Sequence, residues 1–140
     1  RQQWAEASPD VHAALIRACD KAADFIEAPQ NRAEVADMLS RPERIGVAAE
    51  VIGRTLEGRL KVTPDGVFRT NPNYLLVGRE GASRPDPLQA AWLYSQMVRW
   101  GQTGLSLERQ KVAEGVFRPE LYDAATGKPP PPRAPSRRTG

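Results

Sequence analysis

The first long pattern of hydrophobic and polar positions predicts a helix from Pro9 to the residues before Pro29. Ser8 is placed as an N-cap, Pro9 suits the first turn, and Asp10 complements the helix dipole. Apolar residues then recur at helical spacing, namely Val11, Leu15, Ile16, Cys19, Ala22, Ala23 and Ile26. Charged residues occupy the other side, namely Arg17, Asp20, Lys21 and Asp24. We therefore expect the apolar set to face the core and the charged set to face solvent.

Two shorter helices are predicted between residues 31 and 58. Asn31 and Glu34 have the spacing of a capping box ahead of a helix over 32–39. A further helix is predicted over about 48–57, and Gly58 is suited to end it.

The pattern then changes from helical to alternating. Residues 59–62 alternate polar and apolar, a Pro- and Gly-containing turn follows at 63–66, and residues 67–69 have the pattern of a returning strand. This combination predicts a short β-hairpin. The apolar run Tyr74–Val77 predicts a buried strand or extended segment.

The strongest helix pattern covers residues 87–100 and contains two of the three Trp. Asp86 is the predicted N-cap, Pro87 the first helical residue and Gly101 the C′ residue. Two apolar stripes run along it, one of Leu88, Ala91, Trp92, Ser95 and Val98, the other of Leu93, Met97 and Trp100. A helix with two apolar stripes is typical of one packed from two sides. We expect the rest of the chain to be built around this central helix.

The remaining residues predict two short helices and a tail. Ser106 is placed to cap a helix through about Ala113, with Leu107 and Val112 inward. A last helix begins near Pro119, with Leu121 and Tyr122 packed. Residues 128–140 are rich in Pro and Arg, which predicts a disordered tail, with a polyproline ligand for an SH3-like partner as the alternative. The predicted organisation is a domain over 1–127 followed by this tail.

Charge argues against a nucleic-acid-binding domain. The net charge is +3, but residues 1–127 hold 16 basic and 17 acidic residues. The basic excess therefore belongs to the tail, whereas nucleic-acid binding requires a basic face on the folded domain. The single Cys19 excludes an internal disulfide and a Cys-based zinc site, and we expect it to be a buried apolar residue. The single His12 leaves no His cluster for a metal ion.

The sequence contains no constellation that predicts catalysis. It has no Walker A loop, no dinucleotide-binding fingerprint and no Gly-x-Ser-x-Gly elbow, so we expect neither enzyme activity nor a cofactor. Paired acids at Glu108 with Glu114 and at Glu120 with Asp123 have the pattern of solvated helix faces.

Three arginines are candidates for binding an anion through charge-assisted hydrogen bonds, namely Arg79, Arg84 and Arg99. Arg99 stands out because it lies within the aromatic helix, where it would bind an anion or pair with an acid. Trp92 and Trp100 are expected to be core residues. Direct contact of Trp92, Arg99 or Trp100 with a ligand is the alternative.

Several motifs, in order, resemble the C-terminal part of the nitrate- and bicarbonate-binding components of ABC importers (the NrtA/CmpA type). The match covers about residues 4–125. Its segments are Trp4-Ala5-Glu6 with the helix led by Pro9, Asn31-Arg32-Ala33-Glu34, Ile45–Ile52 with Leu56 and Gly58, Ala82 with Pro85, Trp92 with Met97–Gln102, and Val116–Tyr122. Two features depart from the family pattern: Ala48 stands where Pro is common, and the loop over 78–84 lacks aromatic and His residues.

This resemblance implies a fragment of a two-lobed α/β fold of the type II periplasmic-binding-protein kind. The implied function is the binding of a small oxyanion, nitrate, nitrite or bicarbonate, for an ABC importer in the periplasm. The implied partners are the anion and the membrane subunits of the transporter. The family's anion ligands lie mostly upstream, so none is assigned in this chain.

Two other readings of the sequence remain open. A cytoplasmic nitrate sensor that binds an antiterminator partner has a similar C-terminal pattern. A free-standing helical interaction module requires no family relationship. Since the chain begins with Arg1 in helix-like sequence, we expect it to be a piece of a longer protein.

Overall fold

The structure of the protein is a computed structural model that describes residues 2–128 and residue 130. The chain divides into two compact units, one of Arg1–Ala18 with Arg84–Gly140 and the other of Cys19–Ser83. The Pro- and Arg-rich tail predicted over 128–140 lies, apart from Lys128 and Pro130, outside the described residues. Its disorder, and a domain boundary at 127, stay predictions.

Helices dominate the described residues, together with one two-stranded sheet. The helices are α1 (Gln2–Ala7), α2 (Pro9–Glu27), α3 (Arg32–Ser40), α4 (Ala49–Leu56), α5 (Pro87–Arg99), α6 (Leu107–Val116) and α7 (Pro119–Thr126). The strands are β1 (Arg59–Lys61) and β2 (Phe68–Thr70). The prediction of a mainly helical α+β chain with a short hairpin is confirmed. Over the described residues, none of these helices has the length and apolar character needed to cross a membrane.

The boundaries of α5 follow from its capping residues. The Asp86 carboxylate accepts a hydrogen bond from the backbone N–H of Leu88 at 2.9 Å, and Pro87 is the first helical residue. At the other end, Gly101 adopts a φ of +69°, its N–H donates to Val98, and the Gln102 N–H donates to Met97. This is the Schellman pattern of hydrogen bonds, which needs a left-handed residue where Gly101 stands. The predicted central helix is confirmed in position and length.

The expectation that α5 is packed from two sides is wrong for the described residues. Its buried residues are Ala90 and Tyr94, on the side that packs against α6. The large members of both predicted stripes are exposed, namely Leu88, Trp92, Leu93, Met97 and Trp100. A helical period identifies the residues that share a side, but it does not identify which side is covered.

Helices α6 and α7 follow α5 in the unit that also includes Arg1–Ala18. The Ser106 hydroxyl accepts a hydrogen bond from the Arg109 N–H, which confirms the predicted cap. The helix continues to Val116, beyond the predicted end near Ala113, and Leu107 and Val112 are exposed rather than inward. Tyr122 of α7 is buried, as predicted.

In the other unit, α3 packs against α4. Val35, Ala36 and Ile52 are buried. The predicted capping box at Asn31 is wrong, because the Asn31 side-chain amide donates to the carbonyl of Phe25 at 3.0 Å and makes no cap hydrogen bond. Asn31 closes the turn between α2 and α3 instead.

Helix α2 has the predicted boundaries but a different buried side. Ala23 and Asp20 are buried, whereas Cys19, Val11 and Leu15 are exposed. The predictions of a buried Cys19 and a solvent-facing Asp20 are therefore wrong. Consecutive residues in a helix point about 100° apart, so burial of Asp20 turns its neighbour Cys19 outward.

The predicted hairpin is present, and its antiparallel strands pair Leu60 with Arg69 and Lys61 with Phe68. At its base, the Asn71 N–H donates to the Gly58 carbonyl at 2.8 Å. The run Tyr74–Val77 forms no strand, and Tyr74 and Leu75 are exposed, so the prediction of a buried strand there is wrong.

We predict that Gly58→Ala destabilises the protein by about 3 kcal/mol, which combines left-handed strain with overpacking. Gly58 has a φ of +69°, and an added Cβ would overlap the carbonyl oxygen of Asn71. Gly101→Ala is the matched control, because Gly101 has the same φ of +69° and no atom within 4 Å of an added Cβ. The control should cost only about 1 kcal/mol. Urea denaturation measures both, and equal losses would show that the contact with Asn71 is unimportant.

Candidate functional site

Around about half of its circumference, α5 presents large apolar side chains to solvent. We call Leu88, Trp92, Leu93, Met97 and Trp100 the exposed face. Their exposed fractions run from 45% for Met97 to 75% for Leu88, with Trp92 at 61% and Trp100 at 73%. Single exposed apolar residues are ordinary, but a cluster of large ones on one helix is typical of a surface that contacts something else.

A shallow groove continues the exposed face toward α6. Its volume is about 190 Å³, and its lining is almost entirely apolar. Helix α5 contributes Ala90, Leu93, Tyr94 and Met97, α6 contributes Ala113 and Val116, and Phe117 follows α6 directly. A groove with this lining suits an apolar side chain and offers little to a small hydrated anion.

Tyr94 fixes the loop that joins α5 to α6. Its buried hydroxyl donates to the Gly104 carbonyl at 2.8 Å and accepts from the Ser106 N–H at 2.8 Å. Because Ser106 also caps α6, one side chain ties the inner side of α5 to the start of α6. Neither predicted stripe includes Tyr94. Its spacing of four residues from Ala90 is the signal that would have placed the two residues on the same side of the helix.

The predicted ligand candidates on α5 lie on the exposed face or beside it. The Arg99 guanidinium lies 5.7 Å from the centroid of the Trp100 ring, a cation–π arrangement. Trp92 precedes Arg99 by seven residues and is therefore on nearly the same side, two turns away. Among the residues that the structure describes, Arg99 makes no ion pair, so the alternative of an acidic partner for Arg99 is not realised there.

Arg84 is already engaged with a carboxylate of its own chain. Its Nε and Nη2 donate to the two carboxylate oxygens of Asp123 on α7, each at 2.7 Å. The hydrogen bonds from Arg84 lower the pKa of Asp123, and Asp123 in turn raises the pKa of Arg84. This bidentate pair ties the loop before α5 to α7 and occupies one bidentate edge of the guanidinium, the kind of edge that an oxyanion would bind.

The guanidinium of Arg79 also donates to groups of its own chain. Its Nε donates to Glu27 at 2.9 Å, and its Nη2 donates to the carbonyls of Leu75 and Pro72. Its Nη1 donates to the side chain of Asn73 at 3.4 Å. Two of the three candidate arginines therefore serve the fold. The sequence did not point to their partners Glu27 and Asp123, which lie 52 and 39 residues away.

No metal centre is formed within residues 2–128 and 130, where no group of three or more His, Cys, Asp or Glu side chains is placed to hold an ion.

Comparison with known proteins links the chain to nitrate and bicarbonate transport. It is 31% identical over 125 residues to the nitrate import ATP-binding protein NrtC of Synechococcus elongatus. It is 28% identical over 136 residues to the bicarbonate-binding protein CmpA, and 24% identical over 125 residues to the nitrate/nitrite binding protein NrtA, both of the same organism. No family model matches the chain, and no solved structure is significantly similar to it.

The matches cover most of this chain but a small part of each relative. They take in 89% of the chain for NrtC and NrtA and 91% for CmpA. The same matches take in only 18% of NrtC, 28% of NrtA and 30% of CmpA. The chain thus resembles a segment that occurs both in proteins named for anion binding and in proteins named for ATP binding.

We predict that Asp123→Asn removes part of the acid sensitivity of folding. Because the folded-state pKa of Asp123 is lowered, the contribution of its ionised form is fully present above its unfolded value of 3.8. That contribution is lost as the pH falls through the folded value. The free energy of unfolding of D123N should therefore be lower than that of the wild type near neutral pH and should fall less on acidification.

Glu120→Gln is the control for this experiment. Its partner Arg118 also lowers the pKa of Glu120, but both side chains are more than half exposed, whereas those of Arg84 and Asp123 are 21% and 30% exposed. Denaturation followed across acidic pH should therefore show a larger change for D123N. Identical pH profiles for the two variants would contradict the structural role given to the pair of Arg84 and Asp123.

Proposed function

We propose that the chain is part of an oxyanion-binding domain of an ABC import system for nitrate, nitrite or bicarbonate. In this proposal the complete domain has the two-lobed α/β fold, works in the periplasm and delivers its anion to the membrane subunits. The chain contributes helices that support the domain, and the anion is held by residues outside it.

The observation that carries the proposal is the overlap between two kinds of relatives. Two matches that take in 89% and 91% of the chain must overlap over most of its length. The shared segment is therefore one that a binding protein and an ATP-binding protein have in common. Since the chain contains no Walker A loop, a role in anion binding fits the shared segment better than a role in ATP hydrolysis.

The geometry supports a structural role for this segment within the domain. The Nε of Arg79 and the Nε and Nη2 of Arg84 donate to carboxylates of the chain itself, so the fold already uses these donors. The exposed face and the groove beside it are apolar, and burying apolar surface is favourable. We propose that other parts of the same domain cover this face.

A second candidate places the same kind of domain on a different polypeptide. The relative with 31% identity is named as an ATP-binding protein, which favours a binding-type domain attached to the transporter ATPase. In that arrangement the domain would lie on the cytoplasmic side, where ATP is available, and would sense the anion rather than deliver it.

The test is calorimetric titration of nitrate, nitrite and bicarbonate into the polypeptide encoded by the whole reading frame that contains this chain. We expect saturable binding of at least one of these anions. Arg99→Ala should change the dissociation constant no more than Lys111→Ala, an exposed basic residue on α6. If Arg99 held the anion, its loss would weaken binding by about tenfold or more.

The outcomes separate the alternatives. Absence of anion binding by the whole polypeptide would contradict the proposal. A selective loss of binding in R99A would move the anion site onto α5 and contradict the supporting role. Binding of MgATP by the same polypeptide, in addition to an anion, would favour the second candidate.

A further inference from the structure

Three hydrogen-bond donors converge on the carboxylate of Glu27 at the end of α2. The N–H groups of Val77 and Gly78 donate to its Oε1 at 2.6 and 3.2 Å. The Nε of Arg79 donates to its Oε2 at 2.9 Å. We call these three donors the cradle. Consecutive backbone N–H groups beside a guanidinium form a concave site with positive potential, which suits an anion.

The cradle holds a carboxylate against two opposing effects. Glu27 is the last residue of α2, where the helix dipole disfavours negative charge. Its side chain is only 15% exposed. Burial alone raises the pKa of Glu27, yet the hydrogen bonds from Val77, Gly78 and Arg79 bring it below its ordinary value. The donors therefore stabilise the charged form by more than burial disfavours it.

The cradle is also held in shape by contacts that do not involve Glu27. The other nitrogens of Arg79 donate to Pro72, Asn73 and Leu75, and the Ser83 hydroxyl donates to the Val77 carbonyl at 2.7 Å.

Gly78 adds a further restraint, because it lies against α2. A Cβ at this position would be 3.1 Å from the Ala23 carbonyl carbon and from the Ala23 Cβ. Removal of the Glu27 side chain would therefore leave most of the restraints on the donors in place.

We propose that the cradle is a binding site for a small planar oxyanion, and that Glu27 fills it as a tethered ligand. Formate, nitrate and bicarbonate present the same edge of two oxygens as a carboxylate group, so each fits the donors that Glu27 now uses. In the wild type the tethered carboxylate has a high effective concentration and excludes free anions. This inference rests on the contacts of Glu27 alone and does not depend on the proposed function.

The experiment is an anion rescue of Glu27→Ala in the full chain. Removing the side chain leaves the two N–H groups without an acceptor and opens the cradle to solvent. Thermal unfolding is measured with sodium formate, nitrate or bicarbonate against sodium chloride at equal ionic strength. We expect the planar oxyanions to raise the unfolding temperature of E27A by about 3 °C or more above the chloride value.

Asp123→Ala is the matched control, because it also removes a carboxylate from an arginine but leaves no pair of adjacent N–H groups. The wild type and D123A should show no difference between these anions and chloride. In 15N NMR spectra of E27A, the amide signals of Val77 and Gly78 should shift on formate titration.

Equal responses of E27A and D123A, or unshifted amides at Val77 and Gly78, would overturn the proposal. If E27A is unfolded in chloride, the same spectra in formate decide the question. Recovery of a folded spectrum supports the cradle, and an unfolded spectrum in every anion overturns it.

Discussion

The hydroxyl of Tyr94 makes the contact on which the α5–α6 pair depends. By donating to Gly104 and accepting from Ser106, it ties the loop between the two helices to the inner side of α5. The buried residues of α5 are Ala90 and Tyr94, which lie on its inner side. The larger apolar side chains of the helix are left to the outside, where they form the exposed face and one wall of the groove.

In this chain two candidate arginines pair with carboxylates of the fold, whereas the exposed face of α5 is apolar. A small oxyanion needs free donors in a concave polar site, and the chain directs the donors of Arg79 and Arg84 to Glu27 and Asp123. An apolar partner needs exposed area with few charges, and α5 contains Arg99 as its one charged residue. The resemblance to segments of both anion-binding and ATP-binding transport proteins fits a segment of this kind, reused as part of a larger domain.

Local chemistry made both ends of α5 and the start of α6 predictable, although it failed at Asn31, and burial was less predictable. Asp86, Pro87, Gly101 and Ser106 carry short-range capping rules, and each lies where those rules place it. The hairpin also follows from its turn residues. The side of α5 that is covered depends on where α6 lies, and the partners of Arg79 and Arg84 lie far along the chain. No local pattern encodes these contacts, so Trp92 was expected inside and Glu27 was overlooked.

The central claim is that the exposed face of α5 is covered in the complete protein. Hydroxyl-radical footprinting tests it by comparing oxidation of Trp92, Met97 and Trp100 in the 140-residue chain and in the polypeptide of the whole reading frame. With rates normalised to an added peptide dosimeter, the account predicts severalfold slower oxidation of all three residues in the longer polypeptide. Unchanged rates, or a reading frame that encodes no further residues, would contradict it.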